Sequence, residues 1–200
     1  KTAWRAEIAQ REAELKADTR ELSEAQSRWE AEVAKDEKQA VTGRFVRVEI
    51  VDREEFLSLA EVEVFSGQQN VARKGKATQS STDFNGPPEL AIDGKTDGDF
   101  NKAKSTTHTK KDKNPWWLVE LSEPVAIERI VVWNRTDGGV GTRLKGFRVS
   151  ILDEDQQPIW KVDVAEPPAP NRQLVIASVP AAILAIVKTP AETRSDKQQQ

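Results

Sequence analysis

Short stretches that alternate apolar and polar residues, separated by turn-forming residues, dominate the middle of this chain. Each is rich in Val, Ile, Phe or Trp, and six are found at residues 45–50, 62–65, 117–121, 130–133, 147–151 and 159–162. Alternation with a period of two turns one side of a strand toward a core and the other toward solvent. About six such strands with turns between them predict a mainly β fold, an antiparallel β-sandwich, which we assign to residues 43–166.

The N-terminal flank has a different pattern. Residues 1–42 are strongly charged, and the first 40 contain neither Gly nor Pro. Apolar side chains recur there every seven residues, at Ile8, Leu15, Leu22 and Trp29. The spacing predicts an amphipathic helix that packs on a neighbouring domain of a longer parent protein. A dimerising helix is the alternative, although polar companion positions such as Arg11 and Asp18 do not favour a coiled coil.

The C-terminal flank, residues 167–200, reads as a Pro-rich linker followed by a tail. Its apolar run is interrupted by Pro180, which can start a short helix over residues 181–187. Residues 192–200 are polar. The chain contains no Met, so we expect it to be a piece of a longer protein whose targeting signal lies elsewhere.

Composition limits the function classes that need consideration. A net charge of −3 provides no general attraction for nucleic acid. No apolar run approaches the roughly 20 residues that span a bilayer, so membrane insertion is not expected. There is no Cys and one His, and no nucleophile-elbow, metalloprotease or phosphate-loop motif occurs. We therefore expect a chain that is not an enzyme and has no catalytic residues.

An acidic loop is a candidate cation site. Residues 91–99 place Asp93, Asp97 and Asp99 among glycines. Carboxylates and free backbone carbonyls close together are what Ca²⁺ requires. An ordinary loop of Asx-turns, in which aspartates only satisfy the backbone, explains the same composition, and spacing alone does not separate the two readings.

Several donor side chains are candidates for gripping a sugar. They are His108, Arg135 and Arg143, with Asp137 able to orient a guanidinium. The alternative is that both arginines form ordinary surface ion pairs. The adjacent Trp116 and Trp117 face opposite ways on a strand, so one is predicted in the core and the other in the core or beside the loops.

An ordered set of motifs resembles the F-type lectin (fucolectin) branch of the discoidin-like superfamily. Its members are Asn70-Val71-Ala72, Gly75-Lys76-Ala77-Thr78-Gln79-Ser80-Ser81, Ala91-Ile92-Asp93-Gly94, Asn114-Pro115-Trp116-Trp117 and Asn134-Arg135-Thr136-Asp137. The resemblance covers about residues 44–165. It implies a jelly-roll-like, galactose-binding-like β-sandwich whose loops at one end hold the ligand.

The resemblance also implies a sugar site. The family motif is a His, twenty-six residues, Arg-x-Asp, four residues, and a basic residue. His108, Arg135 and Asp137 match it, and Arg143 stands one position late. The family often stacks a vicinal disulfide on the sugar, where this chain has Gly138-Gly139. His108, Arg135 and Arg143 are therefore the expected sugar contacts, and the identity of the sugar stays open.

A structural Ca²⁺ is implied in the same way. By position, Asp93 and Glu61 offer carboxylates, whereas Leu90, Lys95, Ser105 and Ala60 offer mainly backbone oxygens. The family's final strand pattern, Leu-x-Leu-x-Glu-Val-Glu-Val, occurs here at residues 57–64, before Asn70. The module is therefore expected to be circularly permuted, which neighbouring termini make feasible.

The flanks resemble segments of large exported bacterial proteins that contain cytochrome c modules. This resemblance implies an extracytoplasmic location, with neighbouring domains of the parent as partners. The resulting hypothesis is a non-catalytic lectin-like module that tethers its parent to a glycan. The alternative is a degenerate discoidin-like interaction or spacer domain that has lost sugar binding.

Overall fold

Two antiparallel sheets form the framework in the computed structural model, which describes residues 2–34, 40–177 and 181–189. The strands in this part of the chain are β1 (Val41–Ile50), β2 (Glu54–Glu55), β3 (Leu59–Ser66), β4 (Gln69–Asn70), β5 (Lys76–Gln79), β6 (Asp112–Lys113), β7 (Trp116–Ile127), β8 (Arg129–Asn134), β9 (Phe147–Leu152), β10 (Pro158–Val164) and β11 (Asn171–Val175). The α-helices are α1 (Thr2–Ala34) and α2 (Ala181–Lys188), and short 3-10 helices span Val71–Lys74, Pro88–Ile92 and Asp137–Leu144.

The strand order confirms the predicted mainly β, antiparallel sandwich. One sheet has five strands in the order β10-β9-β1-β7-β5, and the second has four in the order β11-β8-β3-β4. The strands β2 and β6 form a separate small pair. A single cluster of buried side chains from both larger sheets fills the core, including Val48, Val62, Trp117, Ile130 and Phe147.

The alternation predicted from the sequence appears as alternating burial along β7. Trp117, Val119 and Leu121 are buried, and the residues between them are only half-buried. Burial of each inward-facing side chain of such a strand stabilises the folded state by about 1.5–3 kcal/mol. A one-residue slip would exchange the two faces, so the core specifies the register of this strand.

The structure differs from the predicted domain boundary at residue 166. β11 lies in the segment read as a linker, and it pairs with β8 along its whole length. Leu174 and Ile176 are buried in the core. The strand has five residues and directly follows a run of prolines, so its sequence gives only a weak strand signal. The expected helix start at Pro180 and the polar tail 192–200 lie outside the described residues.

The predicted N-terminal helix is observed as α1, which spans 33 residues. Its seven-residue stripe, Ile8, Leu15, Leu22 and Trp29, is exposed along the helix, with Leu22 at 71%. The neighbouring domain or second copy expected to cover this stripe stays a prediction. In the described residues, neither α-helix combines the length and the apolar character needed to cross a membrane.

Candidate functional site

The segment that carries His108 is anchored to the beginning of β3 by two threonines. Thr107 donates its N–H to the Leu59 carbonyl (2.8 Å), and its hydroxyl accepts from the Leu59 N–H (3.0 Å). Thr109 repeats the arrangement with Leu57, at 3.0 and 2.9 Å. Each threonine satisfies a buried backbone donor that has no strand partner there. His108 is therefore held between two fixed residues.

A polar loop holds His108 from another side. The His108 N–H donates to the Gly86 carbonyl (2.8 Å), and the His108 carbonyl accepts from the Asp83 N–H (2.9 Å). Gln79 Nε2 donates to the Gly86 carbonyl as well, at 3.0 Å. A Cβ at Gly86 would stand 2.5 Å from the His108 nitrogen. The close approach of the two backbones therefore requires glycine at this position.

The imidazole of His108 is buried, and its surroundings favour the neutral, singly protonated ring. Burial lowers its pKa below the ordinary 6.5, and nearby Arg135 and Arg143 lower it further, against the raising effect of the Thr109 carbonyl. Nδ1 lies 2.7 Å from that carbonyl. A carbonyl can only accept, so we assign the proton to Nδ1. Nε2 is then left as a hydrogen-bond acceptor.

Arg135 follows β8 directly and is oriented by Asp137. Its Nε and Nη2 donate to the two Asp137 carboxylate oxygens at 2.7 and 2.9 Å. Both side chains are largely buried, at 12% and 8% exposure. The guanidinium holds the pKa of Asp137 below its usual value. Asp137 also accepts from the Phe100 N–H (3.1 Å) and Asn101 Nδ2 (2.8 Å), so it joins the Arg135 strand end to the preceding loop.

Arg143 is returned to the same region by the segment Asp137–Leu144. Gly138 and Gly139 have φ of +62° and +69°, a conformation that favours glycine, and they turn the chain sharply. The Gly141 carbonyl accepts from Asn134 Nδ2 at 2.9 Å, which pins the segment to the end of β8. The Arg143 guanidinium carbon lies 4.8 Å from the Phe56 ring centroid. The extra residue before Arg143 therefore does not carry it away from Arg135.

His108, Arg135 and Arg143 line one cavity of about 240 Å³ together with three aromatic rings, Phe56, Phe84 and Phe100. The ring centroids of these phenylalanines lie 5.4, 4.7 and 6.0 Å from that of His108. The site therefore combines two cations and a neutral acceptor with an apolar wall. The Arg135–Asp137 and Arg143–Glu55 ion pairs do not close the cavity. Arg143 Nε is 3.9 Å from Glu55 Oε1, and the Arg143 side chain is 35% exposed.

The phenylalanines were not singled out from the sequence. One signal for Phe84 was present, because it is an aromatic residue within the polar run Ser81-Thr82-Asp83-Phe84-Asn85. It is 59% exposed and has a φ of +49°. A bulky residue at positive φ is uncommon, and such positions concentrate at ligand sites. Phe56 and Phe100 carried no comparable signal.

The two adjacent tryptophans divide as the alternation of strand faces predicts. Trp117 is fully buried, and its Nε1 donates to the Pro88 carbonyl at 2.9 Å. Trp116 is half-buried and lies under the Arg47 guanidinium, 5.2 Å from the ring centroid. Neither ring lines the cavity.

The acidic loop contains a buried carboxyl group supplied by β3. Glu61 is fully buried, and its Oε1 accepts from the Gly94 N–H at 3.0 Å. Its Oε2 is buried with no hydrogen-bond partner in the described part of the chain. Burial raises the pKa of Glu61 to about 8, the Gly94 N–H opposes this, and the neighbouring Asp93 adds to it. The loop and β3 therefore meet at a carboxyl group that lacks a partner for one oxygen.

The other residues expected around a cation come from two parts of the chain, Ala60 from β3 and Leu90, Lys95 and Ser105 from the segment 90–105. A register shift between Leu59 and Glu61 leaves Ala60 outside the β3–β8 ladder. The Ser105 hydroxyl, which is buried, donates to the Asp97 carbonyl at 2.7 Å. Asp93 Oδ1 accepts from the Lys95 N–H (2.9 Å), an Asx-turn contact, and Lys95 Nζ lies 3.1 Å from Oδ2. Among the described residues, no three His, Cys, Asp or Glu side chains form a metal-binding group.

The protonation of His108 leads to a first prediction. We expect its NMR titration to have a midpoint below 6.5, because burial favours the neutral ring. The unfolded chain then binds more protons than the folded one just below pH 6.5, so stability should fall as the pH is lowered through that region. The chain has a single His, so the signal needs no assignment. A midpoint above 6.5 would contradict the buried, neutral assignment, and His108→Gln should remove this part of the pH dependence.

Comparison with known proteins gives a consistent result. The family of the NedA-like, galactose-binding domain matches residues 90–180. Fucolectin-1 of Anguilla japonica is 40% identical over 89 residues, covering 42% of this chain and 49% of that protein. The fucolectin of Anguilla anguilla is 38% identical over 89 residues, covering 42% and 55%. The chain thus spans about half the length of these curated relatives.

Solved structures extend the similarity to the fold. A histidine mutant of the lectin binding domain of lectinolysin, complexed with Lewis b, is 32% identical with a TM-score of 0.53, over 55% of this chain and 78% of that one. A fucose-binding module of Streptococcus pneumoniae is 33% identical with a TM-score of 0.51, over 56% and 77%. The fold and site define a galactose-binding-like β-sandwich. The chain belongs to that family, in its F-type lectin (fucolectin-like) branch. The relatives are lectins and fucose-binding modules, in agreement with a chain that is not an enzyme.

Proposed function

We propose that the sandwich is a non-catalytic carbohydrate-binding module that holds a terminal sugar of the L-fucose type. The observation that carries this proposal is the convergence of His108, Arg135 and Arg143 on one aromatic-lined cavity. At about 240 Å³ the cavity is smaller than the roughly 300–1,000 Å³ of pockets for drug-sized ligands, which suits a single sugar ring.

The polar groups of the cavity complement a sugar's hydroxyl pattern. Asp137 accepts hydrogen bonds from Nε and Nη2 of Arg135, and Nη1 has no acceptor among the described residues. Arg143 has no short hydrogen bond from its guanidinium to another described residue. Both can donate to sugar oxygens, and His108 Nε2 can accept from a hydroxyl. Asp137 keeps Arg135 in place before the sugar arrives, which lowers the ordering cost of binding.

The aromatic rings complement the apolar part of such a sugar. Phe100 is already covered by the Arg135 guanidinium, 4.4 Å from the ring centroid, so it acts as a support for that arginine. Phe84 is exposed and offers its ring to a ligand. In L-fucose, a methyl group stands where L-galactose has a hydroxymethyl group. An apolar wall favours the methyl group because no hydroxyl is buried without a partner.

Calorimetry with matched sugars tests the proposal. We expect methyl α-L-fucoside to bind and methyl α-L-galactoside to bind at least about fivefold more weakly, since they differ by one hydroxyl. A glycan array with galactosides and sulfated polysaccharides extends the comparison. Arg143→Ala should weaken binding, whereas Arg172→Ala, an exposed change on β11, should not. Absence of binding to every sugar would favour the degenerate interaction domain instead.

A structural cation, Ca²⁺ by its oxygen ligands, is the second part of the proposal. Asp93 and Glu61 would hold it with carboxylates, and Leu90, Lys95, Ser105 and Ala60 with mainly backbone oxygens. The fit rests on Glu61, whose buried Oε2 lacks a partner and whose pKa is raised to about 8 by burial. A bound cation would replace the proton on Glu61, so that Oε2 gains a partner and the buried carboxylate charge is neutralised. It would supply only a fixed charge that braces the loop.

The permuted order of the module is also part of the proposal. It is supported by the position of the first strands, because β1 lies between β9 and β7, and β3 lies between β8 and β4. Strands that come first in the chain thus occupy inner positions in both sheets.

The resemblance of the flanks supports four further parts of the proposal: a tethering role, neighbouring domains, a cytochrome-c-containing parent and an exported location. Expression of the parent with and without residues 43–177, followed by a glycan pull-down, tests the tether.

A further inference from the structure

A second, much smaller space lies beside the proposed sugar cavity. This chamber has a volume of about 10 Å³. The residues that line both the chamber and the cavity are Phe56, Arg135, Val140 and Arg143. The remaining walls of the chamber are Ser58, Asn134 and Leu144. A water molecule needs roughly 10–15 Å³ of such space, so the chamber has room for one water and is too small for a sugar ring.

Ser58 faces this chamber because the segment before β3 is packed like a strand. Leu57 and Leu59 are buried in the core, and both are bonded to the His108 segment, at the two-residue spacing of a strand. Alternate residues of a strand point to opposite sides. Phe56 and Ser58 therefore lie on the side away from the core, where both line the chamber.

The hydroxyl group of Ser58 is buried without a partner. Its Oγ makes no hydrogen bond to any other described residue. The amide of Asn134, on the opposite wall, does not supply a donor, because its Nδ2 donates to the Gly141 and Pro168 carbonyls at 2.9 and 3.0 Å. Buried polar groups are nearly always bonded to protein or to ordered water. The Ser58 hydroxyl therefore calls for a partner inside the chamber.

The two guanidinium groups beside the chamber have donors to spare. Asp137 accepts from Nε and Nη2 of Arg135, and Nη1 has no acceptor in the described part of the chain. Arg143 lies over the Phe56 ring, 4.8 Å from its centroid, and its Nε is 3.9 Å from Glu55 Oε1. Neither contact is a short hydrogen bond, so neither fixes the direction in which Arg143 donates.

We propose that the chamber binds one ordered water molecule and that Ser58 acts through this water as a positioning residue for Arg143 in sugar binding. The inference rests on the proposed function. The water accepts from the Arg143 guanidinium and from Arg135 Nη1, and it donates to Ser58 Oγ, which makes the three bonds typical of a buried water. Arg143 is then held in place before the sugar arrives, which lowers the ordering cost of binding.

A crystal structure of the sugar-free protein, at a resolution that shows ordered water, tests the site itself. We expect a water peak about 2.8 Å from Ser58 Oγ. In Ser58→Ala this peak should lose occupancy, and the guanidinium of Arg143 should be less well ordered than in the unaltered protein. A chamber without a water peak overturns the inference, whether or not a sugar binds.

Calorimetry with methyl α-L-fucoside tests the positioning role on variants shown to be folded. We expect Ser58→Ala to weaken binding by about three- to tenfold, the effect of one net hydrogen bond. Ser58→Thr keeps the hydroxyl and should restore most of the affinity. Ser58→Val has the same shape as Ser58→Thr without the hydroxyl, so it should bind as weakly as Ser58→Ala. Ser66→Ala, at the far end of β3 and outside both spaces, should bind like the unaltered protein.

The outcomes separate the water site from the function on which its role rests. Unchanged affinity in Ser58→Ala overturns the positioning role and leaves the proposed function intact. Equal affinity of Ser58→Thr and Ser58→Val also overturns it, because the hydroxyl then has no effect. If the unaltered protein binds no sugar, the proposed function and the positioning role fail together, and the crystal structure alone decides whether the chamber is a water site.

Discussion

Replacing Arg135 with lysine is expected to reduce the affinity for methyl α-L-fucoside by at least about tenfold and up to about 100-fold. The arginine is held by a two-point contact with Asp137, with both side chains largely buried. Lysine keeps the charge but presents a single ammonium group, so it cannot bind Asp137 in the same way and also reach the sugar. The loss should appear in calorimetric affinity, measured on variants shown to be folded.

A matched control exists elsewhere in the sandwich. Arg148 and Asp163 form the same kind of pair, with Nε–Oδ1 at 2.7 Å and Nη2–Oδ2 at 3.1 Å. This pair joins β9 to β10 and is more exposed, with Asp163 at 66%. Arg148→Lys should therefore leave sugar affinity unchanged and have little effect on stability, because the pair is exposed to solvent. Wild-type affinity in Arg135→Lys would remove this arginine from the site.

Removal of divalent cations is expected to lower the melting temperature by roughly 5–10 °C. A ligand present at 100 times its Kd stabilises the folded state by about 2.7 kcal/mol. For a chain of this size, each kcal/mol corresponds to about 2–4 °C. The effect should be seen as a difference in Tm between samples with excess Ca²⁺ and with a chelator.

Two carboxylates on β3 separate a specific site from a general ionic effect. Glu61→Gln preserves the size of the side chain and the acceptor for the Gly94 N–H, but it removes the charge, so the response to chelator should disappear. Glu63→Gln alters the other carboxylate on β3, which is bonded to Trp133 Nε1 at 2.8 Å, and should keep the response. A melting curve that is the same with and without chelator in the unaltered protein would remove the cation from the proposal.

Much of the fold could be predicted from the sequence because its signals are local. Period-two alternation in strands such as β7 and β9 reports burial directly. β5 and β11 escaped prediction because they are short, and β11 follows a run of prolines that reads as a linker. The order of strands within each sheet depends on contacts between distant segments. No local pattern contains that information.

The candidate site also has a part that local sequence signals predict and a part that depends on contacts between distant segments. Arg135 and Asp137 are two residues apart at the end of a strand, so their pairing is a local event that the residue types already suggest. The position of Arg143 was uncertain because one extra residue precedes it. The structure places it beside Phe56 through the turn at Gly138 and Gly139 and the hydrogen bond between Asn134 and Gly141.

The sequence by itself determined a β-sandwich, a family resemblance and the polar members of the site, because alternation and motif spacing are properties of neighbouring residues. The tertiary structure alone decided the aromatic wall and the burial of Glu61. Phe56, Phe84 and Phe100 lie in three separate loops, and they meet only because the His108 segment docks against Leu57 and Leu59. The physical reason is that a cavity forms between surfaces, and its shape follows from how the segments pack.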